Sequence, residues 1–265
     1  EMSASLVGSE MCIRDRRLFD YEPLDPETAP RGVVGIPRVL GLYENYPFWF
    51  TLFTELGYRV ELSPPSGKDL FDLGLSSMPS QTVCYPAKLA HGHIASLLRK
   101  GLKRIFFPCL PRERRENKDA ADGYNCPVVA YYPEVLAGNC PELEGQKFIY
   151  DYVGIHRPHD FTKKMTAVME REFGPIPHGE IKAAVEAAYG EYERHMKQIR
   201  EKGAEIMAAA RKEGRRIIVL AGRPYHVDPE VNHGIDTLIT QFGAAVITED
   251  SVSQLADPFK TTVLN

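Results

Sequence analysis

The sequence has no Cys-x-x-Cys pair, no phosphate-loop signature, no long apolar run and no marked excess of either charge. Each absence removes a class of function. Without paired cysteines, zinc ribbons, thioredoxin-like redox pairs and ferredoxin-type ligand runs are disfavoured. Without a glycine-rich segment ending in Lys-Ser or Lys-Thr, a nucleoside-triphosphate loop is excluded. No stretch approaches membrane-spanning length and no charged-then-apolar leader occurs, so a cytoplasmic chain with no membrane partner is expected. A net charge of −4 leaves no clustered positive surface, which argues against nucleic acid. The 265 residues, 43% hydrophobic and 26% charged, suit one large domain or two small ones. Five cysteines in a cytoplasmic chain read as thiols, metal ligands or redox groups before disulfides.

Leu6 to Arg16 resembles the translation of a sequencing adapter, so residues 1–16, Cys12 among them, are expected to be non-native. Leu255 to Asn265 shows no closing element, and the chain is expected to be truncated there as well. Residues 17–31 are a polar lead-in. Gly32 to Ile36 then reads as a buried parallel strand, Asn45 as the cap of a helix over Pro47 to Leu56, and Tyr58 to Leu62 as a second strand. Pro86 to Lys100 reads as a helix, Arg104 to Phe107 and Val128 to Tyr132 as strands, and Lys147 to Tyr150 as a further edge strand. Strands alternating with helices predict a parallel α/β domain over residues 32–158.

Residues 159–213 are helical in pattern, interrupted by Gly174-Pro175 and Pro177, and read as a linker that packs along its neighbours. At 214–265 the opening pattern returns. Pro37, Asn45 and Gly57 are matched by Pro224, Asn232 and Gly243, with an acid before or near each asparagine (Glu44, Glu230). The predicted class is α/β: two tandem flavodoxin- or Rossmann-like parallel-sheet domains joined by a long helical segment, the second truncated.

Three cysteines stand beside prolines in the first domain: Cys84-Tyr85-Pro86, Pro108-Cys109-Leu110-Pro111 and Cys126-Pro127. Proline lacks an N–H and restricts φ, so each thiol lies where a regular element starts or stops. Pro86 suits the first turn of a helix, placing Cys84 near free N–H groups and Lys88, which favour thiolate. Three thiols at three turns can converge on an iron–sulfur cluster; equally, free cysteine is a common small core residue. Cys140, in a turn away from the sheet edge, ranks below them.

His91 and His93 are two apart and make a poor chelating pair, so one is expected to face solvent and one to pack. Pro111 to Tyr124, with Arg112, Arg114, Arg115, Asp119 and Asp122, reads either as a solvated excursion or as a lid over the cysteines. Gly222 to Gly234 is dense in polar groups. Arg223, His226 and His233, with Lys88, are candidates for holding a substrate or anion, and His226, Asp228 and His233 for metal or acid–base chemistry. The structural alternative is an Asp228-Pro229 turn and an Asn232 helix cap.

Taken together, Gly35-Ile36-Pro37-Arg38, Glu44-Asn45-Tyr46-Pro47-Phe48-Trp49, Val83-Cys84-Tyr85-Pro86-Ala87-Lys88, Phe107-Pro108-Cys109, Tyr124-Asn125-Cys126-Pro127 and Gly222-Arg223-Pro224-Tyr225-His226 carry a resemblance. They are similar to the 2-hydroxyacyl-CoA dehydratase-related proteins known as CoA-substrate-specific enzyme activase-related. The resemblance implies an oxygen-sensitive iron–sulfur cluster, [4Fe–4S] or double-cubane, with Cys84, Cys109 and Cys126 as its ligands here and one more ligand beyond Asn265. It implies low-potential electrons received from an ATP-hydrolysing activator domain or subunit. The chemistry implied is reductive or radical work on a small substrate, an acyl-CoA among the options, within a dehydratase-like (lyase) or reductase system and a dimeric assembly. The alternative role is a cluster-free regulatory or scaffolding module that docks the activator ATPase.

Overall fold

The computed structural model describes residues 17–115 and 123–256. The adapter-like first sixteen residues, the centre of the charged loop with Asp119 and Asp122, and the C-terminal nine residues lie outside the described residues, as do the expectations placed on them.

Strands β1 (Val33–Ile36), β2 (Arg59–Leu62), β3 (Arg104–Phe106) and β4 (Lys147–Ile149) form one sheet in the order β2-β1-β3-β4. All neighbours run parallel, with Val34 opposite Val60, Gly35 opposite Ile105 and Ile105 opposite Phe148. Helix α1 (Leu42–Glu55) joins β1 to β2. Helices α2 (Lys68–Leu73) and α3 (Tyr85–Arg99) lead to β3, and α4 (Pro127–Asn139) leads to β4. The chain leaves β1 towards one edge and later returns towards the other. Right-handed crossovers therefore put α1 on one face and α3 with α4 on the opposite face. The direction changes between β1 and β3, and open α/β sheets hold ligands beyond the strand ends at such a point.

Helix α1 is covered on both sides, which explains why it is apolar almost all round. Its Trp49 and Phe53 meet Phe106 of the sheet at ring distances of 4.8 and 4.9 Å. Its Phe48 meets Phe161 at 5.2 Å and Tyr189 at 4.9 Å. Those two come from α5 (Pro158–Glu172) and α6 (His178–Lys212), which are separated at Gly174 (φ 96°) and the two prolines, where the break was expected.

Three local readings change. Helix α1 begins at Leu42, not Pro47, because Leu40 turns the chain in the left-handed region (φ 49°) and Gly41 becomes the cap. Asn45 is thus a buried helix-interior residue, its Nδ2 donating to Gly41 O at 3.3 Å and Glu113 Oε2 at 2.9 Å. Val128 to Tyr132 is helix rather than strand. Pro127 occupies the first helical position after Cys126, and Val129, Tyr132, Pro133 and Leu136 are buried at helical spacing. Finally, neither His91 nor His93 faces solvent; both are fully buried. Gly92 between them lets α2 lie directly on α3, since a Cβ there would sit 1.9 Å from Leu70 O. Sequence spacing on α3 alone cannot reveal that second covering helix.

After α6 come β5 (Ile217–Leu220), the one-turn α7 (Pro229–Asn232), α8 (Ile235–Gln241) and β6 (Ala245–Thr248). β5 and β6 pair in parallel as a separate two-stranded sheet, with Ile218 opposite Val246. Ile206 and Ala210 of α6 pack on Ala245 and Ile247 of β6. No helix among the described residues is long and apolar enough to cross a membrane.

Candidate functional site

The three proline-flanked cysteines lie at the ends of elements that meet the C-terminal edge of the first sheet. Cys84 caps α3 in extended conformation (φ −62°, ψ 149°), its carbonyl accepting from Ala87 N at 3.1 Å; the residue is exposed. Cys126 caps α4 in the same manner, its carbonyl accepting from Ala130 N at 2.9 Å, and is half-buried. Cys109 extends β3, its N–H donating to Asp151 O at 3.1 Å, and is fully buried. Burial, followed by the Glu134 carboxylate, pushes the Cys109 thiol up to about 12. Hydrogen bonds from the Glu134 backbone and Tyr152 pull it the other way.

Tyr225 stands in the 3-10 turn Pro224–Val227, and its hydroxyl is raised by burial first and then by the charge of Cys126 and Cys84. Tyr132 is pushed up to about 12 by burial and by Cys84 and Cys140. Cys140 is buried, with His91 Nδ1 at 3.6 Å from its sulfur. Among the described residues, no three His, Cys, Asp or Glu side chains are grouped so as to hold a metal ion.

The chain's own segment around Asp228 packs against α1, the loop after β2 and the start of α3. This carboxylate is buried; it accepts from Tyr43 OH at 2.7 Å and from Ser66 Oγ, and caps α7 by accepting from Glu230 N at 2.9 Å. Ser66 Oγ also meets His93 Nε2 at 3.1 Å, and His93 Nδ1 meets Ser63 Oγ at 2.7 Å. Alongside, Tyr85 OH donates to Glu230 Oε1 at 2.7 Å and the Tyr85 ring stacks on His233 at 5.9 Å. Asp228 therefore serves the join between the two sheets, and Asn232 makes a local turn, accepting from Gly234 N at 2.7 Å, while Gly234 caps α8.

Replacing Asp228 by alanine leaves the buried Tyr43 hydroxyl, the half-buried Ser66 hydroxyl and a helix start without their acceptor, and is expected to cost about 2–3 kcal/mol. Urea unfolding measures this, and removing the Tyr43 hydroxyl in the same chain should make the loss less than additive.

The four anion candidates do not share one place. Lys88 lies on the first turn of α3, and His233 lies against Tyr85. Arg223 and His226 line a cleft at the second sheet. The Asp228 network was not visible beforehand. Tyr43 and Asp228 are 185 residues apart, and no periodicity connects them. At the base of the charged loop, Glu113 accepts from Asn125 Nδ2 at 2.7 Å and from Asn45. Burial raises its carboxyl against these two hydrogen bonds.

A parallel four-stranded sheet between helices, with cysteines, tyrosines and a buried polar join at its carboxyl edge, defines the class as α/β. The chain matches the model of the CoA enzyme activase uncharacterised domain (DUF2229) over residues 33–252 and belongs to that family. No curated protein and no solved structure matches it.

Proposed function

We propose that this chain serves a CoA-enzyme activase system as an electron-receiving α/β module, with an oxygen-sensitive iron–sulfur cluster held at the sheet rim by Cys84 and Cys126. The observation that carries this reading is that Cys84 and Cys126 each cap a helix start, in the same extended conformation, at the carboxyl edge of one sheet. The donor chemistry of that pair fits: each sulfur stands at a helix start that Pro86 or Pro127 fixes in place. Cys109 fits less well, since burial and Glu134 favour its protonated form. The remaining ligands of the cluster would come from outside the described residues.

When bound, the cluster would supply low-potential electrons delivered by an ATP-hydrolysing activator, for reductive or radical chemistry on a small substrate such as an acyl-CoA. The chain's own residues would do the rest. Lys88 would face anionic charge near Cys84, Tyr225 and Tyr132 would limit water at the sulfurs, and the Asp228 join would hold the second sheet in register with the rim. The tandem-domain organisation follows on this reading, with β5 and β6 opening a second α/β unit.

Anaerobic reconstitution of the chain with iron and sulfide is the test. Broad visible absorbance and a reduced-state paramagnetic signal are expected, with Cys84→Ser or Cys126→Ser removing most of both and Cys109→Ser removing less. A wild-type chain that takes up no iron in chromophoric form would leave the second reading. In that reading the chain is a cluster-free module that docks the ATPase, which the exposed apolar residues Val219, Leu238 and Phe242 of the second sheet layer favour.

A further inference from the structure

β4 is an outer strand of the first sheet, and its far edge is open. The main-chain groups of Lys147, Ile149 and Asp151 face β3. Lys147 N donates to Lys103 O at 2.9 Å, while Ile149 O and Asp151 O accept from Phe107 N at 2.9 Å and Cys109 N at 3.1 Å. Main-chain direction alternates along a strand, so the N–H and C=O groups of Phe148, Tyr150 and Tyr152 point outward, and the described residues offer them no hydrogen-bond partner. Natural edges are commonly guarded by proline, a bulge or an inward charge. Phe148-Ile149-Tyr150 has no proline and no charge, and Lys147 is turned to Glu172 O, 2.7 Å from its Nζ.

The side chains of the three outward residues share the sheet face that carries α4. The Phe148 and Tyr150 rings stack at 5.5 Å, and the Tyr152 ring lies 6.0 Å from that of Tyr131 on α4. Tyr131, Tyr150 and Tyr152 are all exposed. An open groove of about 630 Å³ is lined by Phe148, Tyr150, Leu143 and the end of α4 at Ala137 to Asn139.

A row of unpaired main-chain groups is satisfied by another extended strand, and a second copy of this edge supplies one that matches. Laid antiparallel about a two-fold axis at Tyr150, Phe148 falls opposite Tyr152 of the second copy, so rings meet rings at the hydrogen-bonded positions. On the other face Ile149 falls opposite Asp151 of the second copy, and Lys147 stands diagonal to that same carboxylate. No like charges meet across the seam.

We propose that β4 pairs with β4 of a second copy of this chain, antiparallel about a two-fold axis at Tyr150, and so joins two four-stranded sheets into one. The proposal does not rest on the cluster reading, and the chain is tested without iron.

Sedimentation of the full chain is expected to show a dimer with a Kd below about 10 μM. Tyr150→Glu and Tyr150→Lys each set like charge against like at the axis and should weaken it about tenfold or more, while an equimolar mixture of the two variants should restore it. A chain that stays mostly monomeric at about 10 μM, its edge left for the strand of some other protein, would overturn the proposal. So would a dimer that neither charge weakens, or one that the mixture does not restore. Amide hydrogen exchange of the unaltered chain makes the test independent of how the variants fold. The Phe148, Tyr150 and Tyr152 amides should exchange severalfold more slowly at about 100 μM than at about 1 μM, with no change in β2 at the opposite edge. Exchange at those three amides that ignores concentration would equally overturn it.

Discussion

Gly92→Ala is expected to destabilise the protein by about 3 kcal/mol or more, the opposite of what helix propensity alone would give. In an open helix the change would favour folding by about 0.5–1 kcal/mol. Here the added Cβ would lie 1.9 Å from Leu70 O and 2.7 Å from Leu70 C, both backbone atoms that no rotamer can move aside. Gly74 faces the same crossing, where a Cβ would lie 2.4 Å from Gly92 N. Separating α2 from α3 would uncover His91 and His93 and loosen the start of β3. Gly190→Ala in the middle of α6 is the matched control, since a Cβ there meets nothing within 4 Å, and it should stabilise slightly. Thermal and urea unfolding of the two variants should move in opposite directions; equal behaviour would mean that the crossing is not as close as described.

Acidification is expected to produce the second large effect. His91 is held at about 4 by burial, and His93 at about 3 by burial with the Arg38 guanidinium as a further cause. The unfolded chain takes up these protons near pH 6.5 and the folded chain does not, so the stabilising contribution of both is complete above 6.5. It declines as the pH falls towards the folded values. Between pH 7 and pH 5 each histidine should withdraw about 2 kcal/mol. Glu113 acts in the opposite sense, because a raised folded-state carboxyl pKa relieves strain as the pH falls. Variants separate the terms: His93→Gln, which keeps an amide between Ser63 and Ser66, should flatten the pH dependence of urea unfolding by roughly half. A slope unchanged by that substitution would show that His93 is not the group responsible.

Much of the first sheet was legible before any coordinates. A short apolar run bounded by glycine and proline marked β1, the alternation of strands with helices placed β2, β3 and β4, and the glycine–proline break between α5 and α6 lay at Gly174 as read. The errors share a cause. Val128 to Tyr132 is rich in β-branched and aromatic residues, a composition that suits a strand, yet Pro127 and the sheet surface beneath make it a helix. Asn45 looked like a cap because caps are commonly asparagine, but the chain reversal at Leu40 starts the helix one turn earlier. In both places tertiary packing overrode a local preference of about 1 kcal/mol or less.

The candidate site divides along the same line. That Cys84, Cys109 and Cys126 stand at element ends follows from their prolines, and the motif order carries the family membership over residues 33–252. Which polar groups meet at that edge does not follow. Asp228 reaches Tyr43 only because the segment after β5 folds back over the edge of the first sheet.

Covalent constraint and hydrophobic period act over a few residues, and these the amino-acid order specified unaided: the strands, most of the helices, the parallel α/β class and the turns that carry the cysteines. Burial of polar groups is different in kind, because a carboxylate such as Asp228 must find its donors wherever the folded chain brings them. The join between the sheets, the enclosure of His91 and His93, and the cleft beyond the ends of β5 and β6 were decided there.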